Sequence, residues 1–293
     1  MHALRRLVEE QPREFEPILD EFTAFLTDDE RSIRLTTAKL FVTVAEVDPD
    51  AVVSSIPELA ARLADEEEFY YVRARSAEAL GYVALERPRE VGSPGVLADL
   101  RIGLSFDEPE VKEKLAKALE YVALGDPDRL RHQVSNLAEH LADENELVRY
   151  HLCTTLVVIG CEYPAKLADV SDAIAARLAD ENPYVRGRAA EALGLLLRSG
   201  PDDATVSADD MSDADEEESF VADRLRFARN AFAEESPEAL RPDEIGTIDA
   251  IRGTTDEVVT EITSPGGDGD CPHCGLSLPE NGPPMCPRCG APY

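Results

Sequence analysis

Tryptophan is absent from this 293-residue chain, and lysine nearly so, with five Lys beside 24 Arg. Sixty acidic residues outnumber these 29 basic ones and set the formal charge at −31. A surplus of that sign gives a compact body no general attraction for phosphate backbones, and makes it repel itself at low salt. No run of 18 apolar residues occurs, which excludes a membrane-spanning helix. There is no Gly-rich phosphate-cradling loop, no His-Glu-x-x-His and no Ser/His/Asp set with a nucleophile elbow. Carboxylate pairs abound, but a chain with 60 acids produces them by chance. No signal peptide opens the sequence, so the expected compartment is the reducing cytoplasm, where disulfides are not expected.

Cysteine is also scarce, and four of the six are gathered at the C-terminal end. Cys271 and Cys274, then Cys286 and Cys289, form the near copies Cys-Pro-His-Cys-Gly and Cys-Pro-Arg-Cys-Gly. A two-residue spacer lets both thiolates of a pair face one point from a single tight turn, and two such pairs supply a tetrahedral ion. Gly275 and Gly290 close the turns, while Pro272 and Pro287 stiffen them. Thioredoxin-type redox chemistry needs one pair at the start of a helix, which does not fit two pairs among Pro and Gly. Ligand type and spacing point to one structural Zn2+, whose four thiolates leave no open position for catalysis. His273 is then a solvent-facing side chain. The motif resembles the zinc-ribbon family over the C-terminal end of the chain alone; iron, as in rubredoxins, is the rival occupant, with an intervening loop short for that family.

The acidic, lysine-poor composition resembles proteins of extreme halophiles, and of halophilic archaea in particular. In their salt-rich cytoplasm self-repulsion is screened within about 3 Å at 1 M salt. An ordinary acidic cytosolic protein is the alternative.

Internal repetition carries most of the information about fold. A phrase of Leu, a small or polar residue, an acidic pair, a Val-Arg step and an Ala-x-x-Leu-like pattern recurs five times between residues 26 and 197. The acidic columns begin at Asp28, Asp65, Asp107, Asp143 and Asp180. The hydrophobic-basic steps fall at Ile33-Arg34, Val72-Arg73, Val111-Lys112, Val148-Arg149 and Val185-Arg186, spaced 39, 39, 37 and 37 residues apart. This phrasing resembles the HEAT-repeat family over residues 1–200. The implied fold is an all-α HEAT-type α-solenoid of about five helix-pair repeats plus caps, with the zinc ribbon appended.

The first helix of each pair is expected at Asp50 to Leu63, Pro94 to Ser105, Arg129 to Leu141 and Ala165 to Leu178, with Pro57 kinking one of them or delaying its start. The second helix starts around each Val-Arg step, and Met1 to Glu10 reads as a lone second helix capping the stack. With the Val at zero and 100° per residue, apolar positions four, five and eight residues later fall at 40°, 140° and 80°. The basic residue after the Val, at 100°, therefore points inward. Arg34, Arg73, Lys112, Arg149 and Arg186 are expected to form a structural ladder with Asp28, Asp65, Asp107, Asp143 and Asp180, because buried charges require partners.

The third position after the Val, at 300°, is expected on an exposed flank. Thr36, Arg75, Lys114, His151 and Arg188 stand there, with Tyr82, Lys117 and Tyr121 beside them. Basic and aromatic side chains on one face suit an acidic peptide or a nucleic acid strand, making Arg75, Tyr82, Lys114, Lys117 and Tyr121 a candidate partner-binding patch. The competing reading is ordinary solvated surface. Cys153 falls on an inward position held elsewhere by Ala38, Ala77, Ala116 and Ala190, and reads as a small core residue; Cys161 reads as partly exposed.

Residues 201–219 contain nine Asp or Glu and little apolar content, as expected of a disordered acidic linker. In 220–263, Phe220 to Phe232 carries a helical stripe of Val221, Leu225, Ala228 and Phe232 with Ser219 as cap, and Pro242 to Ile262 carries another with a break at Gly253. This pair either caps the last repeat or serves as a partner arm. Residues 264–293 form a flexible hinge and the ribbon.

These features describe a non-enzymatic scaffold whose solenoid binds a protein partner and whose zinc ribbon adds a tethered second contact. The alternative is a nucleic-acid-associated factor using the ribbon, where Arg288 is the one basic residue among the last 30. HEAT-like enzymes fit poorly. The His-Glu pairs of deoxyhypusine hydroxylases are missing, nothing marks the bilin site of the phycobilin lyases, and the cationic, aromatic-rich cleft of alkylpurine glycosylases conflicts with this charge.

Overall fold

The computed structural model describes residues 11–200, 218–232 and 245–263. The Met1 to Glu10 cap, nearly all of the acidic linker, the hinge and the four ribbon cysteines lie outside these residues. Among the described residues the chain is helical and contains no strand. Five long inner helices set the frame: α1 (Arg31–Val47), α2 (Tyr70–Glu86), α3 (Pro109–Gly125), α4 (Glu146–Glu162) and α5 (Pro183–Arg198). Each packs beside the next in chain order. Leu40, Val44, Leu80, Val83, Leu115, Leu119, Leu152, Leu156, Ala189 and Leu193 are among the buried residues of the continuous core between them. The architecture is an all-α solenoid of helical repeats.

Proline sets the end of the inner helices. α1 to α4 stop just before Asp48-Pro49, Arg87-Pro88, Asp126-Pro127 and Tyr163-Pro164, where the residue preceding Pro cannot stay helical. These prolines stand 39, 39 and 37 residues apart, and Pro12 and Pro201 extend the series by 37 at either end.

The outer helices depart from expectation. Instead of continuous helices, the first members of each pair are short pieces: Ile56–Ala64 after the 3-10 turn Pro49–Ser55, Pro94–Ile102 with Gly103–Ser105, Val134–Ala138, and Ser171–Ala175 between Pro164–Val170 and Ala176–Ala179. A 3-10 turn is tighter and suits short connectors started by proline. Pro57 delays the start of its helix, lying in the first turn from Ile56.

Two further helices complete the described chain. α6 (Ser219–Phe232) packs along α5, and α7 (Ile248–Ile262) crosses the stack. Ser219 is the first helical residue of α6. No break occurs at Gly253: the hydroxyls of Thr254 and Thr255 donate to the carbonyls of Ala250 and Ile251, one turn back, and the helix runs on. α6 reaches α5 closely because Gly187 and Gly194 lack side chains; a Cβ on either would come within 2.6 Å of the Phe220 or Phe227 ring.

The Asp column folds the turn ahead of each inner helix. Oδ1 of Asp28, Asp65, Asp143 and Asp180 accepts the backbone N–H two residues on, at 2.8, 3.0, 2.9 and 3.0 Å. Asp107 stands two before Pro109, which has no N–H to offer. In three of the five repeats the basic residue of the step then ties that turn down: Arg34, Arg149 and Arg186 donate to the carbonyls of Asp28 and Asp29, Asp143 and Glu144, and Asp180 and Glu181. They also reach forward one repeat. Lys112 pairs with Asp143 at 2.5 Å, and Arg149 grips Asp180 through two nitrogens at 2.9 Å.

Two rungs differ from the expected ladder. Arg34 meets Glu68, not an Asp, at 2.8 and 2.9 Å. Arg73 donates to the Leu63 carbonyl and lies 4.3 Å from the Phe106 ring centre, with no carboxylate in ion-pair distance among the described residues. The loop before this helix is the longer one, with Val72 seven positions after Asp65 where Val148 stands five after Asp143, and Glu68 within it is what meets Arg34.

Replacing Arg149 by Leu leaves Asp180 buried without its bidentate partner, an effect on the order of 3 kcal/mol. The expected outcome is a melting temperature several degrees lower at fixed salt, read by circular dichroism.

Candidate protein-binding face

The face of the inner helices turned away from the outer pieces carries a second periodic charge pattern. Counted from each opening Val, position three holds Thr36, Arg75, Lys114, His151 and Arg188. The series continues into α6. Val221 stands 36 residues after Val185 and is buried, so Arg224 occupies position three of a sixth inner helix. Position six holds Lys39, Glu78, Lys117, Thr154 and Glu191.

The two position-six glutamates form matching nodes. Glu78 accepts from Arg75 on its own helix at 2.5 Å and meets Lys114 of the next helix at 3.4 Å. Glu191 accepts from Arg188 on its own helix at 2.8 Å and from Arg224 of the next at 2.9 Å. Spacing explains the match: residues three apart share a helix face, and a repeat brings the same position alongside on the neighbour. Burial alone would raise the Glu78 carboxyl, but Lys114, Arg75 and Lys117 together hold it well below the usual carboxylate range. The Glu191 carboxyl is likewise lowered, against burial, by Arg224, Arg188 and the backbone N–H of Gly246.

Between the nodes the face stays polar and becomes buried. His151 Nδ1 lies 2.6 Å from Glu120 Oε2, and Arg188 donates to the Tyr150 hydroxyl at 3.4 Å. The position-three column is therefore not an exposed flank. His151 is 1% exposed and Arg188 fully buried. A wheel drawn on one helix cannot see the cause, which is α7. This helix lays Asp256 against the Tyr121 hydroxyl (3.4 Å), Arg252 on the Leu124 carbonyl (2.9 Å), Thr254 on Arg188 (3.2 Å) and Glu261 on Tyr184. The segment leading into it places the Gly246 N–H on Glu191 at 2.8 Å.

The expected patch residues lie together at the other node. Lys117 donates to the Tyr82 hydroxyl at 3.0 Å, and its ammonium sits 4.9 and 5.2 Å from the Tyr82 and Tyr121 ring centres. The two rings are 5.2 Å apart. Lys117 titrates well above its ordinary range: burial opposes its charge most strongly, but Glu78, Tyr121 and Tyr82 together outweigh it. Arg75, Lys114, Lys117 and Tyr82 are partly exposed, whereas Tyr121 is buried. These cations are thus not free surface charges but share Glu78 among them.

Sequence reasoning missed Glu78, Glu191, Arg224 and Asp256. The 36-residue step to Val221 was a usable signal for Arg224; the crossing of α7 had only an indirect one, the apolar run through α4. That helix is buried at every residue from Leu147 to Gly160.

Other candidate chemistry is quiet. Cys153 is buried and Cys161 half-buried, and burial pushes both thiols up to about 12, so neither is a nucleophile at neutral pH. A cleft of about 460 Å³ lies over Asp143, Glu144, Asp180 and Glu181, where Arg149 and Arg177 engage Asp180. No group of three or more His, Cys, Asp or Glu suited to a metal ion occurs among the described residues.

Because the Glu191 carboxyl is lowered from its ordinary 4.5 in the fold, it adds stability above that pH, and the contribution is lost as pH falls further. Glu191→Gln is therefore expected to melt several degrees below the parent at pH 7, with the gap closing below pH 4.5; thermal melts across pH 3 to 7 read both.

No family model matches the chain, and no curated protein matches it. Solved structures do. An engineered protein shares 16% identity over 74% of this chain and 96% of its own, with a TM-score of 0.64. A designed armadillo repeat protein shares 16% over 73% and 99%, with a TM-score of 0.63. Another, solved in complex with the peptide (KR)4, shares 17% over 73% and 99%, with a TM-score of 0.61. At such identities the likeness is one of fold, that of a stack of helical repeats.

Proposed function

We propose that this chain is a non-enzymatic protein-interaction scaffold of HEAT type, which grips a protein segment along the face carrying Arg75, Lys114, Lys117, Tyr82 and Tyr121. One observation carries the reading: the same face, from Tyr121 onward, already seats a helix of this chain. The designed armadillo protein solved with (KR)4 supports the use of such a stack for peptide binding. The position-three column here is basic, so the complementary segment is acidic.

The ribbon, held by Zn2+ on Cys271, Cys274, Cys286 and Cys289, serves as a second, tethered contact that raises the effective concentration of the first. Its donor set supports zinc: four thiolates in two Cys-x-x-Cys pairs close a tetrahedral shell. A nucleic-acid role is the weaker reading, because a formal charge of −31 repels phosphate backbones at large and Arg288 is the one basic residue among the last 30.

The test is affinity capture from a cell extract with identification of what is retained. The intact chain should hold one protein that Arg75→Glu/Lys114→Glu loses by 10-fold or more and that a chain ending at Ser264 holds less well. Equal retention by the double variant would remove this face from the function.

A further inference from the structure

Helix α7 touches the solenoid without belonging to its stack. The repeat series continues through α6, which stands in register with α5 and inserts Phe220 and Phe227 against Gly187 and Gly194. α7 instead crosses from the C-terminal end of α3, at Leu124, to the N-terminal end of α5, at Tyr184. Its seat is thin. Of its fifteen residues only Ile251, Thr255 and Val258 are buried. The rest of its hold comes from the half-buried Ile248, Val259 and Ile262 against the core, and from Asp256, Glu261, Thr254 and Arg252, which meet tyrosine hydroxyls, one arginine and one carbonyl.

The surface beneath α7 is also imperfectly satisfied. Glu120 Oε1 and Arg188 Nε are buried, with no hydrogen-bond partner among the described residues. A cover evolved as permanent core would be expected to meet such groups, since leaving them unpaired is costly. Below lies a buried polar row of Glu120, His151, Tyr150 and Arg188, the same mixture of cations, carboxylates and phenols that surrounds Glu78, where Arg75, Lys114, Lys117 and Tyr82 are partly exposed. Few buried contacts, polar edges and a tether mark the kind of element that opens locally at low cost.

We propose that α7 is a displaceable ligand held in cis, and that the partner of this face is an acidic amphipathic helix of the same chemistry. Its buried residues stand at i, i+4 and i+7, as Ile251, Thr255 and Val258 do, with the apolar pair at i and i+7. Its carboxylates flank that stripe, as Asp256 and Glu261 do, and meet tyrosine hydroxyls on α3 and α5. The inference rests on the scaffold reading and narrows it: a partner helix competes with α7, so binding in trans is weakened by the tethered occupant. Charge favours the arrangement, because α7 carries four acids and one Arg yet lies on the side of an acidic protein where basic residues collect.

The probe is a fluorescent peptide with the sequence of residues 245–263, titrated to millimolar concentration against the full chain and two variants. Ile251→Asp/Val258→Asp removes the apolar stripe of α7, and Gly253→Pro breaks its helix where a side chain meets nothing within 4 Å. Both leave the solenoid's own residues untouched. The expected result is at least 10-fold tighter binding by both variants than by the parent, reduced in a peptide carrying Asn and Gln in place of Asp256 and Glu261. Equal affinity of parent and variants overturns the cis occupancy, and no binding by the released variants up to millimolar peptide overturns the site. Arg75→Glu/Lys114→Glu lies outside the α7 seat, so loss of partner capture in that variant with a negative peptide result would leave the scaffold reading standing and remove this one alone.

Discussion

A buried carboxylate shared between a basic residue on its own helix and one on the next is the interaction on which the inner face depends. At Glu191 the arrangement is complete: Arg188 from below, Arg224 from beyond and the Gly246 N–H from the crossing segment all converge on one side chain. Isolated buried ion pairs add little to stability against an apolar substitute, since desolvation offsets attraction. Removing one member is another matter, because the others are left charged and dry. The value of such a node lies in register: α6 can dock only where Arg224 reaches Glu191, and the tight Phe220 and Phe227 contacts on the α5 glycines follow from that alignment. The charged ladder on the opposite edge does the same for the turns, with Arg149 locking both its own turn and the next.

Much of this was legible in the chain. The 39- and 37-residue steps name the repeat, and the inward direction of Val72, Ala77 and Leu80 is confirmed by their burial. What was not legible has physical causes. Outer helices read as continuous because their apolar spacing is helical, yet proline opens or precedes each of them and 3-10 turns take over part of their length. Arg73 left the ladder for the Leu63 carbonyl and the Phe106 ring, contacts that a column of matching residue types does not reveal. His151 and Arg188 were assigned to solvent because a wheel treats one helix alone, and their cover comes from other helices: Glu120 beside His151, and Phe220 and Thr254 on Arg188. The break at Gly253 was a fair inference from propensity that packing overrode. The zinc ribbon rests on its thiolate spacing alone.

The acidic balance takes on a spatial meaning in this light. Five Lys and 24 Arg must serve a body with 60 acids, and the fold spends many of them in two rows, one tying turns and one facing α7 and Glu78. An acidic helix is therefore attracted to one side of a protein that repels it elsewhere, and at high ionic strength the buried members of these rows are screened far less than the surface acids. On the proposed reading, that asymmetry lets a strongly charged solenoid keep a specific site.

Hydrogen exchange of the parent and Glu191→Gln, followed by mass spectrometry at neutral pH, tests the central role of the shared carboxylate most directly. The account predicts faster exchange confined to residues 219–232 and 248–262, with residues 31–125 protected as before. Unchanged protection of both helices, or a uniform loss across all repeats, would contradict it.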